Sequence, residues 1–387
     1  MAYNPNILSN VLRARSLTSD QLSRRLKLEP ADLQRELGRE PEPGQGILNR
    51  IAKELAIPAF AFFMERPPSL HDVIPDFRSP NADPTAKTKE TIQSIQFAEG
   101  IQRALEQDGE GVTALPEFGA TANDEIYRFA LIARRYFDIT LDDQVEAKDA
   151  RAFYLICRKK IEDRGIIVLH DSLPEQDGSG FCLSHDHHPI IVVNTKRQTK
   201  GRRLFTLVHE LAHILMRKTG ISDPFIRRNA TERICNRFAG SFLVPQSYVS
   251  ALLRASITDQ PDDDVKWASR RLKISQEATA FRLEQLGLYR PGSYDAWKAL
   301  VHNRNPDYFE KTGGPPGGEP PPQEKVKLAK YGFYFARAFD RLQRQGLITE
   351  VNLYRVTGLK PKYQRAYFDY AKSITPNELH TLELDDD

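Results

Sequence analysis

Three side chains able to do acid–base or metal chemistry, His209, Glu210 and His213, stand inside the apolar segment GRRLFTLVHELAHILM at residues 201–216. Residues four apart in an α-helix lie on one face about a turn apart, so both imidazoles can turn a ring nitrogen to one ion. Glu210 is rotated by about 100° from them and is placed to act on a water beside that ion rather than to join the same ligand set. This is the H-E-x-x-H spacing, in which two neutral imidazoles bind zinc and the glutamate serves as general base. Leu204, Phe205, Leu207, Val208, Leu211, Ala212, Ile214 and Leu215 leave the helix almost no polar face, so it should be buried. Each unpartnered polar group there would cost on the order of 1–3 kcal/mol. One divalent cation satisfies all three.

A catalytic zinc needs a third protein ligand and an open position. The extended metzincin form places glycine and histidine three and six residues past the second histidine, where this chain has Met216 and Thr219. Glu232 is the better candidate, within NATERICNRFAGSFLVP, where Cys235, Phe238, Ala239, Phe242 and Leu243 mark an apolar helical face. Asn236, one turn on from Glu232, can orient the carboxylate from behind. Asp223 is the alternative ligand, and a surface ion pair with Arg228 is the alternative fate of Glu232. Tyr248 is a candidate oxyanion donor.

Taken together these segments resemble the ImmA/IrrE family of metallo-endopeptidases. FTLVHELAHILM is similar to the family's F-T-L-x-H-E-L-x-H core. ERICNRFAGSFLVP is similar to its E-x-x-A-N-x-F-A-x-x-L-L-x-P segment, with Cys235 in place of the usual alanine. VKWASRRLKISQEATAFRLEQLGL resembles the stretch after the catalytic helices, and VIPDFR resembles a strap of long members that carry an N-terminal XRE-type helix-turn-helix. The resemblance spans residues 5–290 and implies an α+β, mostly α chain whose zincin-like domain sets the H-E-x-x-H helix against a small β-sheet. It implies one Zn2+ on His209, His213 and Glu232, with Glu210 as catalytic base, and cleavage of a partner protein. The implied target is a DNA-binding repressor of the helix-turn-helix type or an antitoxin-like partner, whose loss switches on phage, mobile-element, stress or defence genes. Two other functions stay open: a DNA-binding transcriptional regulator with the zincin domain as sensor or scaffold, and the toxin or defence component of a gene pair.

The elements that must position these residues can be read along the chain. Residues 1–66 form an XRE-like helix-turn-helix unit of short helices. TSDQLSRRLKL is capped at Thr18 or Ser19, Pro30 opens the next helix, which ends near Gly38, and Ile47, Ile51 and Leu55 share one face before Pro58. Residues 67–120 hold a proline-rich linker and a helix. The zincin-like domain occupies 121–290, where GIIVLH, GFCLSH and PIIVVN are short β-branched runs ahead of the active helix. PIIVVN is either a core strand or an edge for an extended substrate to join. Residues 291–323, with TGGPPGGEPPP at their end, form a flexible Gly/Pro-rich tether, and 324–387 are helical with an acidic tail.

Composition narrows the function classes. The net charge of +3 says nothing of nucleic acid, and the three cysteines form no C-x-x-C pair, which suits a reducing, cytoplasmic setting. Apolar runs such as GIIVL fall far short of the ~18 residues of a membrane span. The start MAYNPNILSN lacks the features of a signal peptide. SHDHH, with His185, His187 and His188, reads as a solvated hairpin turn. Arg24, Arg25, Lys27 and Arg35 are the candidate contacts to DNA or a partner, but residues 29–40 carry a net charge of −2, so DNA binding should be weak.

Overall fold

The computed structural model describes residues 3–65, 74–77, 79, 86–106, 114–119, 122–196, 198–222, 229–252, 261–304, 321–375 and 378. The chain opens with α1 (Pro5–Ala14), α2 (Ser19–Arg25), α3 (Pro30–Leu37) and α4 (Gln45–Glu54), closed by a 3₁₀ turn at Ala59–Phe63. Thr18 and Gln21 form a reciprocal capping box at the start of α2, and Pro30 takes a first-turn position in α3. Ile7, Val11, Leu22, Leu33, Ile51, Leu55 and Phe62 make a core of their own. Backbone pairing of Asn4 N–H with Phe62 O at 2.8 Å ties the beginning of this unit to its end.

The larger body follows with α5 (Lys89–Leu105), α6 (Asn123–Tyr136), α7 (Leu141–Glu146) and α8 (Ala150–Asp163). Next come β1 (Ile167–Asp171), β2 (Gly180–Leu183) and β3 (Ile190–Asn194), then α9 (Lys200–Leu215), β4 (Gly220–Ser222) and α10 (Ala230–Leu243). Short helices α11 (Gln246–Leu252), α12 (Pro261–Leu272), α13 (Gln276–Gln285) and α14 (Ser293–Arg304) precede α15 (Gln323–Arg344), α16 (Glu350–Thr357) and α17 (Pro361–Ser373). The architecture is α+β and mostly α, with a zincin-like arrangement of one small sheet under the active helix.

The four strands run in the order β1-β3-β2-β4, with β1 and β3 parallel and the other pairs antiparallel. All residues of β2, β3 and β4 are buried, which explains why these segments read as unbroken apolar runs rather than alternating ones. Of the two readings of PIIVVN, the core strand holds and the substrate edge does not. β3 is paired on both sides, Ile191 opposite Val168 on β1 and Cys182 on β2, so no hydrogen-bonding edge is left for a peptide. The outer side of β4 is also taken. Phe77 N–H donates to Ile221 O at 2.9 Å and Ile221 N–H to Pro75 O at 2.9 Å, so Ile74–Phe77 lies as a short parallel strap along that edge.

The C-terminal helices are built into the same core. Leu328, Phe335, Phe339, Tyr367 and Phe368 belong to one buried cluster with the sheet and α9. Arg158, fully buried on α8, donates to Val168 O at 2.6 Å and to Ala329 O at 2.7 Å, joining β1 to α15. α15 kinks at Gly332, whose φ of +82° suits glycine, and a Cβ there would meet Glu162 Oε1 at 1.8 Å. The kink lets Phe333 N–H donate to Glu162 Oε2 at 2.7 Å. Burial, only partly offset by the Arg158 guanidinium, pushes the Glu162 carboxyl up to about 7. The tether expected over 291–323 is shorter than that, because α14 occupies Ser293–Arg304 and buries Tyr294, Trp297 and Val301; residues 305–320 and the acidic end of the chain lie outside the described residues.

Candidate metal centre

α9 starts at Thr199, whose hydroxyl accepts from Arg202 N–H, and ends at Met216 before Arg217 turns left-handed at φ +54°. From Arg203 to Leu215 each residue is buried, because the helix is packed by α8, α10, β2 and β3. α10 is capped by Asn229, whose side chain accepts from Thr231 N–H at 2.7 Å, and it lies against α9. That packing carries Glu232 to the histidines although nineteen positions of sequence separate it from His213.

The distances are those of a ligand set. His213 Nε2 lies 3.0 Å from Glu232 Oε1, His209 Nε2 lies 3.2 Å from Glu232 Oε2, and the two Nε2 atoms are 3.3 Å apart. Donor atoms each ~2.0–2.1 Å from one tetrahedral ion are separated by about 3.3 Å. His209 Nδ1 stands 3.0 Å from Asn236 Oδ1, an acceptor, so the ring proton sits on Nδ1 and the Nε2 lone pair faces the centre. Glu210 Oε2, fully buried, has no hydrogen-bond partner among the described residues, and Glu232 Oε2 faces only the His209 Nε2 lone pair. Orphaned buried oxygens cost on the order of 1–3 kcal/mol each, and a cation at the centre removes that cost. The residues present fit a zinc ion.

Electrostatics set the two glutamates apart. Burial acts to raise Glu232, but positive charge on His209 and His213 outweighs it and, with no metal present, holds the carboxyl down at about 2. Glu210 goes the other way, up to about 8, chiefly because it is buried and in part because Glu232 is a like charge; His209 and Ser222 oppose the rise. His213 is lowered by burial, whereas His209 is raised because Glu232 outweighs the same penalty. The site thus holds one carboxylate committed to charge and one able to take a proton.

Sequence reasoning missed two neighbours. Ser222, at the end of β4, hydrogen-bonds Glu210 Oε1 and fixes which carboxylate oxygen remains free. No spacing rule links residues 210 and 222; only the pairing of β4 with β2 beneath α9 brings them together. Phe77, from the strap, stacks on His213 with ring centroids 4.6 Å apart and planes 13° from parallel. Gly220 is required beneath it, since a Cβ there would meet the Phe77 ring at 2.3 Å.

Other expected residues fall elsewhere. Asp223 and Arg228 lie outside the described residues. Tyr248 is engaged under the Arg134 guanidinium, 4.7 Å from its ring centroid, and no described contact joins it to the histidines. In SHDHH, His185 Nδ1 accepts from the backbone N–H groups of His187 and His188 at 3.2 and 3.0 Å, which makes a turn. His188 is buried rather than solvated. Arg24 and Lys27 are exposed, while Arg25 donates to Lys87 O at 2.7 Å and Arg35 pairs with Asp32 at 2.6 Å.

A buried H-E-x-x-H helix over a small sheet, with a glutamate from the following helix, defines a zincin-type metallopeptidase domain. Residues 161–284 match the family model Peptidase_M78, the IrrE N-terminal-like domain, and this points to a metallopeptidase of the ImmA/IrrE type. Searches of curated proteins and of solved structures found no match to the chain.

Proposed function

We propose that the protein is a zinc-dependent endopeptidase that cleaves a specific regulatory protein, a helix-turn-helix repressor or antitoxin-like partner. The observation that carries this reading is the convergence of His209, His213 and Glu232 within 3.0–3.3 Å, with Glu210 beside them. His209, His213 and Glu232 would hold the ion, and Asn236 holds the tautomer that lets His209 do so. When bound, zinc supplies Lewis acidity, which makes water a nucleophile near neutral pH and polarises the scissile carbonyl.

The chain's own residues do the proton work. Glu210 must be ionised to act as base, and a divalent cation nearby favours its carboxylate over the raised, metal-free state. Ser222 occupies Oε1, so Oε2 is the atom that takes the proton of the attacking water and returns it to the leaving amine. The same closed, apolar surroundings that raise Glu210 keep this transfer away from bulk solvent.

The regulatory target rests on the family resemblance, and the N-terminal unit is compatible with it. Arg35 and Arg39 are paired with Asp32 and Glu36 at 2.6 and 2.7 Å, and Arg25 is turned inward to the Lys87 carbonyl. With these pairs and a net charge of −2 over residues 29–40, the unit offers a poor footprint for a phosphate backbone. Among the described residues no helix is long and apolar enough to cross a membrane.

The test is metal analysis combined with Glu210→Gln. The variant should retain one zinc per chain and lose cleavage of a candidate partner by about 10²-fold or more. Cleavage that survives the substitution would overturn the role of Glu210, and a wild type that binds no zinc would overturn the reading as a whole.

A further inference from the structure

The centre contains one more donor than a catalytic zinc site requires. Cys235 sits on α10 three residues after Glu232, is fully buried, and is not in a disulfide. Its Sγ and one ring nitrogen from each of His209 and His213 all lie within 4.8 Å of one another. Beside this cluster, Glu210 Oε2 is buried and without a hydrogen-bond partner among the described residues, a second sign that the cavity is arranged for a cation. In a tetrahedral site a zinc–sulfur bond of about 2.3 Å and a zinc–nitrogen bond of about 2.0–2.1 Å place sulfur and nitrogen roughly 3.5 Å apart. The observed limit of 4.8 Å exceeds that separation by no more than about 1.3 Å, so a side-chain adjustment of the sulfur would bring it into coordinating range. The ERICN segment has cysteine where the family pattern it resembles has alanine, which has no donor atom.

We infer, resting on the metallopeptidase reading above, that Cys235 is a fourth protein ligand, its thiolate joining His209, His213 and Glu232 on the bound metal. The thiol proton passes to solvent as the metal binds, because the thiolate is the ligating form. Three protein ligands and an open position characterise catalytic zinc, whereas four protein ligands characterise closed, structural zinc. The resting centre is thus closed, and the sulfur must leave before a water can enter. Thiolate ligation also biases the site towards zinc and away from harder ions such as magnesium.

Cobalt(II) substituted for zinc in the full-length protein reads the ligand set directly, without requiring a substrate. Wild-type protein carrying one Co(II) should show a sulfur-to-cobalt charge-transfer band in the near ultraviolet. Cys235→Ala should lose that band while still binding Co(II), with affinity at least about tenfold weaker. Cys182→Ser should keep the band, which separates Cys235 from the other cysteine close to Glu210. If wild type binds Co(II) with no such band, or if Cys182→Ser abolishes it, the proposal is overturned while the peptidase reading stands. If neither wild type nor variant binds a divalent metal, both are overturned. Should Cys235→Ala fail to fold, the wild-type spectrum and the Cys182→Ser control still decide the question.

Discussion

Deleting the Asp76 carboxylate should lift the strap off His213 before it disturbs the rest of the fold. Asp76 and Lys87 form an ion pair whose side chains are 1% and 4% exposed. Removing one member of a buried pair costs about 3–5 kcal/mol, because the survivor keeps its desolvation cost without its partner. What else holds Ile74–Phe77 is of similar size. Two backbone hydrogen bonds to Ile221 contribute about 1 kcal/mol each. Burial of the Phe77 ring against His213 and Gly220 contributes roughly 1.5–3 kcal/mol. Asp76→Ala therefore removes about as much as the remaining contacts supply, and local opening is cheaper than global unfolding. Amide hydrogen exchange is the assay. Protection of the Phe77 and Ile221 amides should fall by about 10²–10³-fold, each 1.4 kcal/mol being a factor of ten, while amides of α9 such as Leu211 keep theirs. The double variant Asp76→Ala/Lys87→Met, which also removes the buried ammonium, should recover part of the protection. Equal protection at Ile221 in Asp76→Ala and wild type would refute the argument that the ion pair anchors the strap.

Two further outcomes follow from the geometry. Asn236→Ala removes the acceptor 3.0 Å from His209 Nδ1, so zinc affinity should weaken by about 10–100-fold in competition with a chromophoric chelator; unchanged affinity would show that Asn236 does not orient the ring. Glu162 has a folded-state value of about 7, above that of an unfolded glutamate, so its contribution to stability is fully present below about pH 4.5 and is lost as pH rises through 7. The Tm of wild type should accordingly fall between about pH 4.5 and pH 7 and level off above, and Glu162→Gln should flatten that slope; slopes that stay parallel would contradict the assignment.

Much of the helical layout was legible because its signals are local. Thr18 and Pro30 cap or open helices through contacts within three residues, and these two expected starts coincide with the observed ones, whereas the Thr199 cap of the active helix was not singled out. Three of the four strands were legible as well, but β4 was not, and neither was the strand order. β3 follows β2 and precedes the active helix, and nothing in its composition says that β1 will pair on its other side and remove it from the sheet edge. The C-terminal helices illustrate the same limit: the glycine- and proline-rich run marks a break in the chain, yet Arg158, Glu162 and Gly332 join the two sides of that break in one core.

What the sequence determined by itself is the pair of imidazoles on one helical face, because the α-helical repeat converts a spacing of four into adjacency with no help from the rest of the molecule. It also offered Glu232 and Asn236 as a second helical pair of the same kind. Tertiary structure decided that the two pairs meet, that Ser222 takes one oxygen of Glu210, and that Phe77 covers His213. Those contacts join residues from 12 to 136 positions apart, Ser222 to Glu210 and Phe77 to His213 being the extremes. They depend on how a helix, a short strand and a strap pack, which is set by the summed burial of many side chains and not by any motif.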